Sequence, residues 1–126
     1  MTADESARTP TAEEFIARRQ ADIAKHPWVK AKDVLRTGTH WHRLEAATFH
    51  IQSNNPQKVL VLERLHWDRF VPKSPDALPR RHRDEGEISY RIGYWVVSRS
   101  GRWWWGQFSA MIPKDDLDVL LDKARR

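Results

Sequence analysis

Aromatic and basic residues are concentrated in one part of this chain, where they have the chemistry to hold a base and a phosphate. Trp and Tyr rings stack on nucleobases, and arginine guanidinium groups bind phosphates. Residues 90–112 contain four of the chain's seven tryptophans, and a basic run at 80–83 precedes them. The residues from which we predict a ligand-binding surface are Arg80, Arg81, Arg83, Arg91, Trp95, Arg102, Trp103, Trp104, Trp105 and Phe108.

Two histidines suggest a different chemistry. His40 and His42 flank Trp41, and this spacing places both imidazoles on the same side of a strand. Two residues along a strand span about 6.6 Å, which is short enough for both side chains to bind one metal ion. A third ligand would come from another segment. The candidates are Glu63, His66, Asp68, His82 and Asp84.

Other catalytic signals are weaker. Glu85 and Glu87 alternate with Gly86, which places two carboxylates on one side of a strand and offers a general acid and base. Acidic residues at a strand entrance are more commonly solvent contacts. The chain has no cysteine and no glycine-rich phosphate loop, so thiolate nucleophiles are excluded and we predict no cofactor.

The tryptophan-rich segment predicts a β-hairpin whose turn decides which side chains share a face. Ser100-Gly101 is a candidate two-residue turn, since glycine allows the positive φ that tight turns need. A three-residue loop would instead shift the register by one residue and move one strand's side chains to the opposite face. The pairs that the two-residue turn predicts are Val97 with Trp104, Trp95 with Gly106, and Gly93 with Phe108.

The predicted register places Trp95, Trp104 and Phe108 on one face, and leaves both faces of the hairpin apolar. An antiparallel hairpin with one side in water should alternate apolar and polar residues. We therefore expect protein, a partner chain or a ligand to cover both faces of the hairpin. If both terminal helices cover the same side of the sheet, the opposite side is left for binding.

The rest of the chain predicts an α+β fold with a central antiparallel sheet of about four strands, either open or curled, and N- and C-terminal helices. Thr11 and Glu14 form a capping box for a helix over 11–25. A short helical piece is expected at 29–36 with Gly38 as its C-cap. Strands are expected at 40–51 and 58–67, and a last helix follows Pro113, with Asp115 and Asp116 in its first turn.

Length and composition predict one domain over residues 11–126, preceded by a disordered tail over 1–10. A long loop rich in proline and arginine is expected over 68–86. The chain has 126 residues and a formal net charge of +5, which biases its partners toward anions. Neither a signal peptide nor an apolar run that could cross a bilayer is apparent, so we expect a cytoplasmic protein with no membrane partner.

Three functions are compatible with these observations. The first is a binding module for single-stranded RNA or DNA or a small anionic aromatic ligand, for which Trp104→Ala should weaken binding by about 1–3 kcal/mol. The second is a homodimer that buries the tryptophan-rich sheet face as its interface. The third is a small metal-dependent hydrolase that uses His40 and His42. We expect a non-enzymatic binding module.

Overall fold

The computed structural model describes residues 8–33, 35–78, 86–106 and 110–126. In this part of the chain, one helix precedes and one helix follows the strands in the sequence. The strands form a 5-stranded antiparallel sheet in which neighbouring strands are consecutive in the chain. The α+β prediction is confirmed, with one strand more than expected. The elements are α1 (Ala12–Lys25), β1 (Trp28–Lys32), β2 (Gly38–Ile51), β3 (Lys58–Pro72), β4 (Ile88–Val97), β5 (Trp103–Trp105) and α2 (Lys114–Arg125).

The additional strand is β1, and the prediction of a helix at 29–36 is wrong. Val29 is buried between exposed Trp28 and Lys30, which is the period-two pattern of a strand with one covered face. β1 pairs antiparallel with β2. Gly38 is therefore the first residue of β2 and not a helix C-cap. β3 also continues beyond its predicted end and reaches Pro72.

Helix α1 begins with the predicted capping box. The Thr11 backbone N–H donates to Glu14 Oε1 at 3.0 Å, and the Glu14 N–H donates to Thr11 Oγ1 at 3.2 Å. Arg8 adds two further hydrogen bonds to the Glu14 carboxylate, each of 3.0 Å. The backbone bond from Thr11, followed by the bond from Arg8, lowers the pKa of Glu14 from 4.5 to about 2.

Glu14→Gln should make the unfolding free energy less sensitive to acid. The folded pKa of Glu14 lies below its ordinary value, so the stabilisation is complete above about pH 4.5 and is lost as the pH falls towards about 2. Urea unfolding across this pH range should show a smaller decline for the variant than for the wild type. Glu13→Gln, which changes an exposed neighbour in the same turn, is the matched control. Equal slopes for wild type and Glu14→Gln would contradict the assignment.

The chain forms two compact units, each with buried side chains of its own. The first comprises the described residues of Met1–Ala21, Thr48–Leu62 and Ile92–Arg126. In this unit Val59, Leu60 and Val61 are all 0% exposed. Successive strand residues point to opposite faces, so protein covers both faces of β3 at this point. Leu120 of α2 is equally buried.

Polar contacts fix α2 within the first unit. Asp116 Oδ1 lies 3.0 Å from His50 Nε2, and Asp116 Oδ2 accepts hydrogen bonds from the Ser53 backbone N–H and hydroxyl, each of 3.0 Å. The Ser53 backbone bond, followed by the His50 contact, lowers the pKa of Asp116. The predicted placement of Asp115 and Asp116 in the first turn is confirmed.

The second unit comprises the described residues of Asp22–Ala47 and Glu63–Arg91. Its apolar core is formed by Val29, Leu44 and Leu65, with Ile23 and Ala47 packed against them. It also buries polar groups. His40 Nε2 lies 2.8 Å from Asp33 Oδ1, and Trp67 Nε1 donates to His40 Nδ1 at 3.1 Å.

The hairpin has the alternative register, and the predicted pairs of Val97 with Trp104 and of Trp95 with Gly106 are wrong. Trp95 pairs with Trp105, Val96 with Trp104, and Val97 with Trp103. The connection is a three-residue loop, because the Ser98 N–H donates to the Arg102 carbonyl at 2.8 Å. Gly101 has φ +79°, as the last residue of such a loop requires.

Both hairpin glycines still lie beside large rings, but these rings are not the predicted ones. A Cβ added at Gly93 would collide with the ring of Trp105. One added at Gly106 would collide with the ring of Tyr94. Trp95 and Trp105 therefore share a face, and Trp104 lies on the opposite face.

None of the described helices is long and apolar enough to cross a membrane. Most of the predicted tail over 1–10 and part of the predicted loop over 68–86 lie outside the described residues, as do four of the predicted site residues. The predicted site residues concerned are Arg80, Arg81, Arg83 and Phe108.

Candidate functional site

Three of the four hairpin tryptophans pack inward, in a group with Phe15 of α1. The rings of Trp103 and Phe15 are stacked at 4.8 Å with an interplanar angle of 16°. Trp95 lies 5.2 Å from Phe15 and 5.3 Å from Trp105, measured between ring centroids. Trp103 Nε1 donates to the Pro10 carbonyl at 2.8 Å. This arrangement gives these rings a packing role.

Trp104 lies on the other hairpin face and remains 57% exposed. Ile92 and Met111, also in the first unit, are 46% and 82% exposed. Trp95 and Trp104 lie on opposite faces of the hairpin, so they do not share a face as the sequence predicted. Arg102 is exposed, in the loop beside β5.

Arg91 forms an ion pair with the buried carboxylate of Glu63. Its Nη2 lies 2.7 Å from Oε1 of Glu63, whose side chain is only 1% exposed. Its Nε donates to the same oxygen at 2.7 Å. Arg91 thus neutralises a buried carboxylate inside the second unit.

The two histidines predicted as metal ligands are both buried on the inner side of β2. His40 and His42 are 7% and 4% exposed. The contacts of His40 with Asp33 and Trp67 occupy both of its ring nitrogens. Within the described ranges, no group of three or more His, Cys, Asp or Glu side chains is arranged to hold a metal ion. His82 and Asp84 lie outside those ranges.

The outward face of β1 and β2 in the second unit carries aromatic and basic side chains. Trp28, Lys30 and Lys32 are the exposed residues of β1. Trp28 pairs with Arg43, and Lys30 pairs with Trp41. Directly paired residues of an antiparallel sheet share a face. The four paired side chains therefore point to the same side of the sheet.

Arg69 extends this surface to β3. Its guanidinium carbon lies 5.1 Å from the ring centroid of Trp41 and 5.8 Å from that of Trp28. Lys30 Nζ lies 5.4 Å from the Trp41 centroid. Such cation-π contacts contribute about 0.5–1 kcal/mol each at exposed sites and order the side chains. We name the aromatic-basic face by its members: Trp28, Lys30, Trp41, Arg43 and Arg69.

A cluster of ionisable side chains lies beside this face on the same strands. Glu45 follows Arg43 at the next outward position of β2. Its Oε1 accepts a hydrogen bond of 3.0 Å from Arg64 Nε, and its Oε2 lies 3.5 Å from His66 Nδ1. Arg64 Nη1 also donates to the Tyr90 hydroxyl at 2.6 Å. We call Glu45, Arg64, His66 and Tyr90 the acid-base cluster.

Electrostatics hold Arg64 in this cluster. The hydrogen bond to Glu45, followed by the electrostatic interaction with Tyr90, raises the pKa of Arg64 above its ordinary value. The side chains of Arg64, Glu45 and His66 are 43%, 34% and 37% exposed. All three are therefore reachable from solvent, and the arginine remains a cation over the working pH range.

The site predicted from the sequence lies mainly on the hairpin, and among these two groups of residues only His66 is predicted as a ligand, as a candidate third metal ligand. A signal was present in the alternation of Trp28, Lys30 and Lys32, and again in that of Trp41, Arg43 and Glu45. The helix predicted at 29–36 covers Lys30 and Lys32 of the first alternation. In the second, only Trp41 lies between the two predicted histidine ligands.

Comparisons with protein-family profiles, curated proteins and solved structures give no match to this chain.

Proposed function

We propose that the protein binds single-stranded nucleic acid on the aromatic-basic face. The observation that carries the proposal is the placement of Arg69 against the rings of both Trp28 and Trp41. Bases stack on aromatic rings and on guanidinium planes, and these contacts are available only where bases are unpaired. A cytoplasmic location, where RNA is abundant, forms part of the proposal.

Charge supports an anionic ligand at this position. Lys30, Arg43 and Arg69 place cations around the rings, and Asp68 pairs with Arg69 without neutralising the other two. Cations beside exposed rings are suited to contact phosphates while the bases stack. Trp28 retains 46% exposure and so keeps ring surface for a base.

Intrinsic tryptophan fluorescence tests this proposal. The full chain is titrated with short single-stranded RNA, single-stranded DNA and duplex oligomers, each at low and moderate salt. We expect saturable quenching by the single strands that weakens with salt, since phosphate contacts release counterions. Weaker binding of the duplex is expected, because its bases are already stacked. No response to any oligomer would contradict the proposal.

A second candidate function, a homodimer, is favoured by the apolar residues exposed in the first unit. Ile92, Trp104 and Met111 are large and solvent-accessible there. Aromatic and methionine side chains are enriched in protein interfaces. A second copy of the chain is the simplest partner for such a surface.

Replacement of Trp104 by glutamate tests the homodimer. For the wild type, light scattering should give twice the chain mass of 14.9 kDa, and Trp104→Glu should give a single chain mass. Leu35→Glu, at a residue that is 59% exposed in the second unit, is the matched control and should leave the dimer intact. A monomeric wild type at all concentrations would remove this candidate.

A further inference from the structure

We infer that the acid-base cluster cleaves single-stranded RNA by internal transfer of the phosphodiester to the neighbouring ribose 2′-oxygen. This inference rests on the proposed function, because the aromatic-basic face must deliver the strand. It goes beyond binding in naming RNA as the substrate and a reaction that DNA cannot undergo.

The position of Glu45 links the cluster to the proposed binding surface. Arg43 and Glu45 are successive outward residues of β2, about 6.6 Å apart along the strand. Neighbouring phosphates of an extended strand are separated by a similar distance. A nucleic-acid strand with one phosphate at Arg43 would therefore place its next phosphate near Arg64 and Glu45.

The cluster contains the groups that phosphodiester transfer requires. A carboxylate accepts a proton, an imidazolium donates one, and a guanidinium stabilises the negative charge that develops on the phosphate oxygens. Glu45 Oε2 and His66 Nδ1 lie 3.5 Å apart, which places the two side chains close enough to act on one phosphodiester. Arg64 contacts the other oxygen of Glu45 and is adjacent to that position.

The reaction balances without an additional reagent. Glu45 accepts the proton of the ribose 2′-hydroxyl, and the 2′-oxygen forms a bond to phosphorus. The bond between phosphorus and the 5′-oxygen breaks, and His66 donates a proton to the departing oxygen. The products are a 2′,3′-cyclic phosphate end and a 5′-hydroxyl end, and both side chains recover their starting protonation by exchange with water.

Neighbouring residues favour access to the cluster. Tyr90 is 62% exposed, so its ring is available to a base beside the scissile phosphate. Gly86 lies beside His66, and a Cβ added to this glycine would be 3.4 Å from His66 Nε2. Because glycine has no side chain, no side chain at position 86 covers this nitrogen.

The test uses the full chain and a fluorescent single-stranded oligomer that has one ribose in a DNA background. An all-DNA oligomer of the same sequence reports binding without cleavage. We expect a cut only at the ribose, with a cyclic phosphate identified by mass spectrometry. Glu45→Gln and His66→Asn should each reduce the cleavage rate by about 10²- to 10⁴-fold, measured with the protein in excess at concentrations that saturate the oligomer.

Matched controls separate catalysis from structure. Glu13→Gln and His26→Asn make the same chemical changes at exposed positions elsewhere and should cleave like the wild type. Thermal melting confirms that each variant is folded.

The outcomes separate this inference from the binding proposal. Binding of both oligomers without cleavage would overturn the inference and leave the proposed function intact. Cleavage that persists in both cluster variants would also overturn it, because the activity would then have another source. Failure to bind or cleave either oligomer would overturn both proposals.

Discussion

Replacing Arg91 with alanine is expected to lower the free energy of unfolding by about 3–5 kcal/mol. Glu63 is 1% exposed, and its Oε1 is contacted by both Nε and Nη2 of Arg91 at 2.7 Å. Truncation of the arginine would leave a buried carboxylate without this cation, which is far more costly than loss of an exposed ion pair. Urea or thermal unfolding measures the change.

A double variant distinguishes the buried charge from general packing. Glu63→Leu combined with Arg91→Met removes both charges and keeps similar volumes, so most of the stability should return. Arg64→Ala, which removes an exposed arginine from its pair with Glu45, should cost only about 0–1 kcal/mol. A loss below about 1 kcal/mol for Arg91→Ala would contradict the buried-pair assignment.

Replacing Trp41 with alanine is expected to weaken binding of single-stranded oligomers by about 1–3 kcal/mol, or roughly 5- to 150-fold. Trp41 contacts both Lys30 and Arg69 through its ring, so its loss removes a stacking surface and releases two cations from their positions. Fluorescence anisotropy of a labelled oligomer measures the affinity, and urea unfolding confirms that the variant is folded.

Trp104→Ala is the matched comparison because it removes an exposed tryptophan from the hairpin. The sequence alone predicts the loss of affinity at this position. The structure-based proposal expects the loss at Trp41 and none at Trp104. If the affinity falls for Trp104→Ala and not for Trp41→Ala, the proposal is contradicted and the binding site lies on the hairpin.

Local signals were sufficient for the helices but not for the hairpin register. The bonds between Thr11 and Glu14 form within one turn, so the sequence pattern alone predicts them. Ser100-Gly101 is compatible with two loop lengths that differ by one residue. Packing of Trp95 and Trp103 against Phe15 favours the observed register, and that contact joins segments far apart in the chain.

The residues of the candidate site are harder to predict from the sequence than the hairpin register is. The residues of the aromatic-basic face lie on three strands, and they become neighbours only when these strands pair. The helix predicted at 29–36 rests on Gly38 as a C-cap, whereas pairing with β2 stabilises β1 as a strand. The pair between Glu63 and Arg91 also joins different strands, so the sequence alone does not indicate that these two residues are in contact.

Photo-crosslinking tests the central claim most directly. A short single-stranded RNA with photoreactive uridines is irradiated with the full chain, and crosslinked peptides are identified by mass spectrometry. We expect adducts on the segments that contain Trp28 or Trp41, and their loss when unlabelled single-stranded DNA competes. Adducts confined to Trp103–Trp105, or none under saturating conditions, would contradict the assignment of the aromatic-basic face.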